Sequence, residues 1–185
     1  LPRRLGANSC YRRLFARAFP EHRGRIDSAT VVAALAAFER TMIALDSPYD
    51  TWRTGDAAAM VPLAIQGENL FRQKGCATCH AGRDLSDMDY HALEPVQARD
   101  PGLIEATGRA QDAGRFRTPS LRNVAVTGPW WHDGTALSME DAVRRHRLSI
   151  ADAQMPALVA FLESLTGPGL LTDPALSMPD TYRCE

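Results

Sequence analysis

Five consecutive residues, Cys76-Ala77-Thr78-Cys79-His80, constrain this 185-residue chain more than any other feature of its sequence. Two cysteines three positions apart on one helical turn can each form a thioether with a vinyl group of one porphyrin, and the histidine that follows then projects toward the iron. The motif therefore predicts one covalently attached c-type haem, bonded through Cys76 and Cys79, with His80 as an axial ligand.

Two other kinds of site use closely spaced cysteines, and the sequence favours neither. A structural zinc site needs a second Cys/His pair at suitable spacing, and none follows the motif. A thioredoxin-like dithiol needs a βαβ context, which the pattern does not show.

Composition and charge narrow the classes of protein to which this chain could belong. Hydrophobic residues make up 45 % of the chain, which supports a packed core, and the net charge of −1 gives no bias toward nucleic acid. No run of 18 apolar residues is present, so we expect no membrane span. Because c-type haem is attached outside the cytoplasm, we expect a periplasmic protein. Leu1-Pro2-Arg3-Arg4 lacks a following apolar segment, so we expect a processed or trimmed product.

The spacing of apolar residues predicts an all-α chain. We expect helices over residues 7–19, 28–45 (capped by Ser28 and ended by Ser47-Pro48), 60–73, 138–148 and 152–165. Residues 81–118 are polar and rich in Asp, Gly and Pro, and a connection of that length is expected to wrap the haem. The tail over 170–185 is predicted to be extended.

The residues alone leave the second axial ligand open. Imidazole and thioether groups both suit haem iron. The candidates are His91, His132, His146, Met88, Met139 and Met155.

Several longer segments form a recognisable set: ALAAFERT (34–41), SPYD (47–50), Gly67-x-x-Leu70-Phe71, CATCHAG (76–82), Asp89-Tyr90-His91, GRFRTPSLRNVA (114–125) and TGPWWHDG (127–134). With this set the chain resembles, from about Tyr11 to Phe161, the C-terminal half of bacterial dihaem cytochrome c peroxidases and their MauG-type relatives.

The resemblance implies an architecture of two haems in two cytochrome c-like domains, with a calcium ion between them. The N-terminal haem reacts with peroxide and the C-terminal haem relays electrons. The implied fold is an all-α, cytochrome c-like haem domain over 59–168, with long haem-wrapping loops. Extra connecting helices over 1–58 precede it and an extended tail over 169–185 follows. A second haem-bearing half or segment is then expected.

The same resemblance implies roles for further residues. In the relatives, the distal ligand of the relay haem follows the His of the Pro-x-x-His-Asp-Gly segment by fourteen residues, and is Met in peroxidases and Tyr in MauG-type proteins. Fourteen residues after His132 stands His146. An imidazole pair would keep the iron low-spin and leave no open position for peroxide. The backbone carbonyls of Thr127 and Pro129 become possible calcium ligands. Arg122 and His132 become possible contacts of a haem propionate or of the second haem, or else structural hydrogen-bonding residues.

Some questions stay open at this point. Trp130 and Trp131 could conduct an oxidising equivalent or simply pack. Cys10 and Cys184 could form a disulfide with each other, or Cys10 could pair with a missing segment.

The chain could be the relay part of a dihaem enzyme or a monohaem electron-transfer cytochrome. Its partner would be a small cytochrome or cupredoxin, or a protein substrate if it is MauG-like.

Overall fold

The computed structural model describes residues 1–92 and 99–176, which are mainly helical. The helices are α1 (Pro2–Ala7), α2 (Ser9–Ala18), α3 (Ser28–Glu39), α4 (Pro48–Arg53), α5 (Pro62–Gln73), α6 (Ile104–Thr107), α7 (Met139–Arg145), α8 (Met155–Glu163) and α9 (Gly169–Thr172). Strands β1 (Tyr90–Ala92) and β2 (Arg115–Arg117) form one antiparallel pair. Among the described helices, none is long and apolar enough to cross a membrane. The described residues form two compact units, one of residues 1–43 with 170–176 and the other of residues 44–92 with 99–169.

The first unit contains the amino-terminal helices. Helix α2 ends at Ala18, as Pro20 predicts, and buries Phe15. The cap of α3 differs from the prediction. Asp27, not Ser28, is the N-cap, because its carboxylate accepts from the Thr30 amide while the Thr30 hydroxyl accepts from the Asp27 amide. The predicted extension of this helix to residue 45 is wrong, since α3 ends at Glu39.

The second unit is organised around the crossing of α5 and α8. Phe71 of α5 packs on Phe161 of α8, with ring centroids 5.0 Å apart. Gly67 permits this close approach, because a Cβ atom at that position would collide with the carbonyl group of Ala157. Burial of each large apolar side chain here contributes about 1.5–3 kcal/mol. The core comprises Tyr49, Met60, Ala64, Leu70, Phe71, Leu85, Ala157, Leu158, Phe161, Leu162 and Leu165.

Helix α4 and the strand pair were not expected from the sequence. Ser47-Pro48 starts helix α4 rather than only ending a preceding one: the Ser47 hydroxyl caps the Asp50 amide, the Asp50 carboxylate accepts from the Ser47 amide, and Pro48 occupies the first helical position. Within the predicted loop over 81–118, β1 and β2 pair in the register Tyr90↔Arg117, His91↔Phe116 and Ala92↔Arg115.

The carboxyl-terminal tail also differs from the prediction over its described part. Residues 169–176 form α9 and a 3₁₀ turn over Pro174–Leu176, not an extended segment. Cys10 is disulfide-bonded. The predicted partner Cys184 lies outside the described residues.

Candidate functional site

The haem-attachment motif begins directly after α5. Gly75 adopts a left-handed conformation with φ of 83°, which ends the helix and turns the chain into a 3₁₀ turn over Cys76–Thr78. The amide of His80 then donates to the carbonyl of Cys76 at 3.0 Å. Both cysteines and the histidine are therefore held within one tight turn of five residues.

Both cysteines of the motif are free thiols and half-buried. Burial raises the pKa of the Cys76 thiol, and burial together with the Asp87 charge raises the pKa of the Cys79 thiol. A catalytic dithiol requires the opposite, a thiol whose pKa is lowered by nearby positive charge or a helix N-terminus. Neither thiol therefore has the lowered pKa that a redox dithiol requires.

The imidazole of His80 is oriented by the backbone. Its Nδ1 lies 3.2 Å from the carbonyl oxygen of Leu85. Since a carbonyl can only accept, Nδ1 carries the proton and the lone pair is on Nε2. Burial lowers the pKa of this histidine, which favours the neutral form that metals bind.

His146 repeats this arrangement at the end of helix α7. It is the C-cap residue, and its Nδ1 lies 2.8 Å from the carbonyl oxygen of Ala142, one helical turn earlier. Its Nε2 therefore also carries a lone pair. Ser138 caps the other end of α7 through the Asp141 amide, as the predicted start of this helix requires.

The rings of the two histidines lie at a separation suited to sharing one metal ion. Their ring centroids are 6.3 Å apart and their planes are inclined by 63°. Two imidazoles on opposite sides of one ion, each with a metal–nitrogen bond of about 2.0–2.1 Å, place their ring centroids about 6 to 6.5 Å apart. The residues present thus fit a haem iron with two imidazole ligands, beside cysteines placed for attachment.

Trp131 completes the His146 side of the site. Its ring meets the imidazole of His146 edge-on, with centroids 5.3 Å apart. The guanidinium of Arg145 lies over the indole, 5.8 Å from the centroid, and is also paired with Asp141 at 2.8 Å. A positive charge at that position disfavours an oxidised, cationic indole. Packing against the ligand is therefore the role that the geometry supports for Trp131.

His132 lies in a different environment. Its Nδ1 is 2.7 Å from a carboxylate oxygen of Asp100, and its ring stacks on Phe116 with centroids 3.7 Å apart. The side chain is only 6 % exposed. These contacts are those of a structural residue, and contact with a propionate stays a prediction.

Arg122 forms a half-buried ion pair with Asp50 of α4, and it also donates through two nitrogens to the Arg83 carbonyl. Burial alone would raise the pKa of Asp50, but hydrogen bonds from Arg122 and Ser47 hold that pKa below its usual range. The pair borders a cavity of about 570 Å³ that His80 also lines. Three donor nitrogens of Arg122 are thus engaged by protein, and its proposed propionate contact also stays a prediction.

The other candidate ligands are placed away from the His80–His146 pair or are engaged elsewhere. Met155 is buried in the core, Arg117 contacts Met88, and Met139 packs against the core. His91 pairs with Asp87 at 2.7 Å. Ligand atoms of Cys79, Asp87 and His91 lie within 4.8 Å of one another, but thioether formation would remove the thiolate that such a metal site needs.

The calcium prediction concerns a turn on the surface. Thr127 and Pro129 are both exposed. The Thr127 hydroxyl donates to the Val124 carbonyl at 3.2 Å, and the Trp130 indole donates to the same carbonyl at 2.8 Å. The backbone is therefore ordered by local bonds, and calcium binding stays a prediction.

Sequence reasoning missed the groups that orient the site. The Leu85 and Ala142 carbonyls fix the two imidazoles, and Asp50 and Asp100 hold Arg122 and His132. For Ala142 a signal existed, since it stands four residues before His146 on a predicted helix. For the Leu85 carbonyl, Asp50 and Asp100, no local spacing in the sequence predicts which residue each one contacts.

Comparison with known proteins gives two matching family models. One, described as di-haem cytochrome c peroxidase, matches residues 1–58, and one for cytochrome c matches residues 64–166.

Individual relatives agree with these models. The cytochrome c551 peroxidase of Nitrosomonas europaea is 34 % identical over 167 residues, covering 85 % of this chain and 49 % of the relative. The methylamine utilization protein MauG of Methylorubrum extorquens is 34 % identical over 192 residues, covering 94 % and 54 %. The chain therefore spans about half the length of these relatives. A solved MauG-like protein associated with microbial copper homeostasis superimposes with a TM-score of 0.82 at 29 % identity, covering 97 % of this chain and 64 % of that one.

Proposed function

This chain belongs to the di-haem cytochrome c peroxidase and MauG family, and on that premise we propose that it carries the electron-relay haem of a two-haem oxidoreductase. The family binds haem c covalently. The observation that carries the proposal is the close pair of imidazoles of His80 and His146, each held through Nδ1 on a backbone carbonyl, in a chain whose haem-attachment motif supplies Cys76 and Cys79.

Each residue of the site then has a defined task. Cys76 and Cys79 would form the two thioethers, and His80 and His146 would each offer the Nε2 lone pair to the iron. When bound, the haem accepts and releases one electron. The carbonyls of Leu85 and Ala142 fix both imidazole tautomers, which limits the reorganisation that accompanies electron transfer.

With both imidazoles as ligands, the iron would offer peroxide no site at which to bind. Reaction with peroxide is therefore assigned to the second haem, and this chain passes electrons to or from it. We propose that residues 59–168 form the cytochrome c-like haem domain and that residues 1–58 connect it to the other haem-bearing part. The match of the di-haem peroxidase model to residues 1–58 supports that division.

A monohaem electron-transfer cytochrome is the second candidate function. It is favoured by the match of the cytochrome c model to residues 64–166, which includes the whole His80–His146 site. The two candidates differ in the number of haems per natural polypeptide.

Finer properties follow from family membership. We propose a periplasmic location, because haem c is attached outside the cytoplasm. We propose as partner a small cytochrome or cupredoxin, or a protein substrate if the protein is MauG-like. Calcium bound by the carbonyls of Thr127 and Pro129 is proposed on the resemblance, since carbonyl oxygens suit that ion.

The test is a count of haem per polypeptide on the natural full-length protein, by pyridine haemochrome with intact mass, together with EPR of the ferric form. We expect two haems, a mass well above 20.3 kDa, and one low-spin signal of the two-imidazole type. One haem at about this mass would assign the monohaem carrier. A thioether charge-transfer band arising from this haem would overturn the His146 assignment.

A further inference from the structure

Lys74 is the only lysine among the 21 lysine and arginine residues of the chain, and it stands at the end of helix α5. It is the C-cap residue of that helix, two positions before Cys76. Its ammonium group donates to the carbonyl oxygen of Ser149 at 2.6 Å, across 75 positions of sequence. A hydrogen bond with a charged donor is stronger than one between neutral groups. Lys74 therefore ties the segment that leads into the haem-attachment motif to a distant part of the chain.

Ser149 belongs to the loop that follows His146. His146 caps helix α7, and Arg147 then turns the backbone with a φ of 54°. One residue beyond Ser149, the Ile150 amide donates to the backbone carbonyl two positions earlier, at 2.9 Å. The carbonyl that accepts from the lysine therefore stands in an ordered turn, three residues after the second imidazole.

The lysine bond joins the two parts of the chain that carry the proposed iron ligands. Among residues 62–80 and 146–150, all of which the structure describes, it is the one hydrogen bond that connects the two segments. The nearby ion pair of Arg144 and Asp152, at 2.7 Å, instead links the two ends of the loop to each other. The lysine bond therefore restrains the loop relative to helix α5 without passing through the metal.

The position of His146 makes such a restraint important. Helix α7 has seven residues, and a residue at the end of so short a helix is held by few backbone bonds. The bond from His146 to the Ala142 carbonyl lies within the same helix and moves with it. A bond from another element restrains the loop, and with it the distance between the rings of His146 and His80.

We propose that Lys74 is a positioning residue for His146. Its bond to the Ser149 carbonyl holds the loop in the position from which His146 binds the iron, and so slows the dissociation of that ligand. The inference rests on the proposed function, in which His146 is the second axial ligand. Lys74 acts through the loop and needs no contact with the haem.

The test measures how fast His146 leaves the iron in the ferric holo chain. Cyanide can bind only after this ligand has left, so at high cyanide concentration the rate observed by stopped flow reaches the rate of that step. Lys74→Met removes the donor but keeps a long side chain, and Lys74→Arg retains a charged donor. The matched control combines Gln73→Lys with Lys74→Met. It keeps a positive charge at the end of α5, where a cation also stabilises the helix, but moves that charge to the neighbouring position.

We expect Lys74→Met to raise the limiting rate by about fivefold, the factor expected for one exposed hydrogen bond with a charged donor. Lys74→Arg should stay within about twofold of the unchanged chain, since arginine also donates from a cation. The double variant should be as fast as Lys74→Met, and amide exchange over residues 147–150 should quicken in the same variants. The proposal is overturned if Lys74→Met leaves the rate unchanged, if Lys74→Arg is as fast as Lys74→Met, or if the double variant is as slow as the unchanged chain.

The absorption spectrum of the unchanged ferric holo chain separates this inference from the proposed function. A low-spin two-imidazole spectrum with equal cyanide rates in all variants rejects only the role of Lys74. A high-spin spectrum before any substitution rejects His146 as the second ligand, and the inference on Lys74 fails with it.

Discussion

His146 and His132 lie fourteen residues apart, and their surroundings assign them opposite tasks. His146 hydrogen-bonds through Nδ1 to a backbone carbonyl, and its ring centroid lies 6.3 Å from that of His80. His132 hydrogen-bonds through Nδ1 to the Asp100 carboxylate and stacks on Phe116. Burial alone does not distinguish a proposed iron ligand from a structural histidine, since the His132 side chain is only 6 % exposed.

The largest effect is expected from His146→Ala in the holo chain. Removing one of two imidazoles opens a coordination position, so the ferric iron should change from low-spin to mainly high-spin and bind added imidazole or cyanide readily. EPR and absorption titrations measure both changes. His132→Ala is the matched control and should keep the low-spin signal. If the two variants behaved alike, the contrast between these histidines would be wrong.

A ligand exchange at the same position should act on the reduction potential. His146→Met replaces imidazole by a thioether, which favours the ferrous state, so the potential should rise by on the order of 0.1 V, a small part of the ~0.8 V range that axial ligands span. Spectroelectrochemistry measures the shift, and a thioether charge-transfer band confirms the new bond. An unchanged potential would mean that residue 146 does not bind the iron.

For His132 the expected effect is on stability. His132→Ala removes a stacked, buried ring and leaves the Asp100 carboxylate without this partner, which should lower the free energy of unfolding by about 2 kcal/mol. Urea unfolding followed by circular dichroism gives the value. Asp100→Asn keeps an acceptor for Nδ1 and should cost less. If His132→Ala changed the haem potential by more than it changed the free energy of unfolding, with both expressed as free energies, the result would instead support the propionate contact predicted for His132.

The sequence predicted the parts of this structure that depend on local pattern. The Cys76–His80 motif, the α5 helix before it and the Ser138 start of α7 need only neighbours within a few residues. The cap of α3 could not be chosen from sequence, because Asp27 and Ser28 are adjacent and both are good N-cap residues. Geometry decides for Asp27, through its reciprocal bonds with Thr30.

Long-range partners were beyond the sequence for a different reason. Arg122 pairs with Asp50 across 72 positions and His132 with Asp100 across 32, and no periodicity relates such residues. The sequence showed that residues 28–45 contain regularly spaced apolar residues. It did not show that Val32, Leu35, Phe38 and Met42 would remain exposed. Whether an apolar residue is buried depends on the element that packs against it, and the spacing of residues along one helix does not identify that element.

The smallest effect concerns a third histidine, His91, whose carboxylate partner Asp87 is solvent-accessible. The pKa of Asp87 is lowered to about 2, chiefly by the Asp89 amide and further by His91. Since the folded pKa lies below the ordinary value of 3.8, the folded state binds fewer protons. The stabilisation is therefore complete above that ordinary value and is lost as pH falls toward 2.

NMR titration of the ferrous holo chain from pH 6 to 3 should show Asp87 still mainly ionised at the acid end. His91→Ala should raise the pKa of Asp87 only partly, because the amide bond from Asp89 remains. A full return to 3.8 would mean that the imidazole, and not the backbone, sets this carboxylate's pKa. The pairing of His91 with its carboxylate would then resemble that of His132 in its energetics as well as in its geometry.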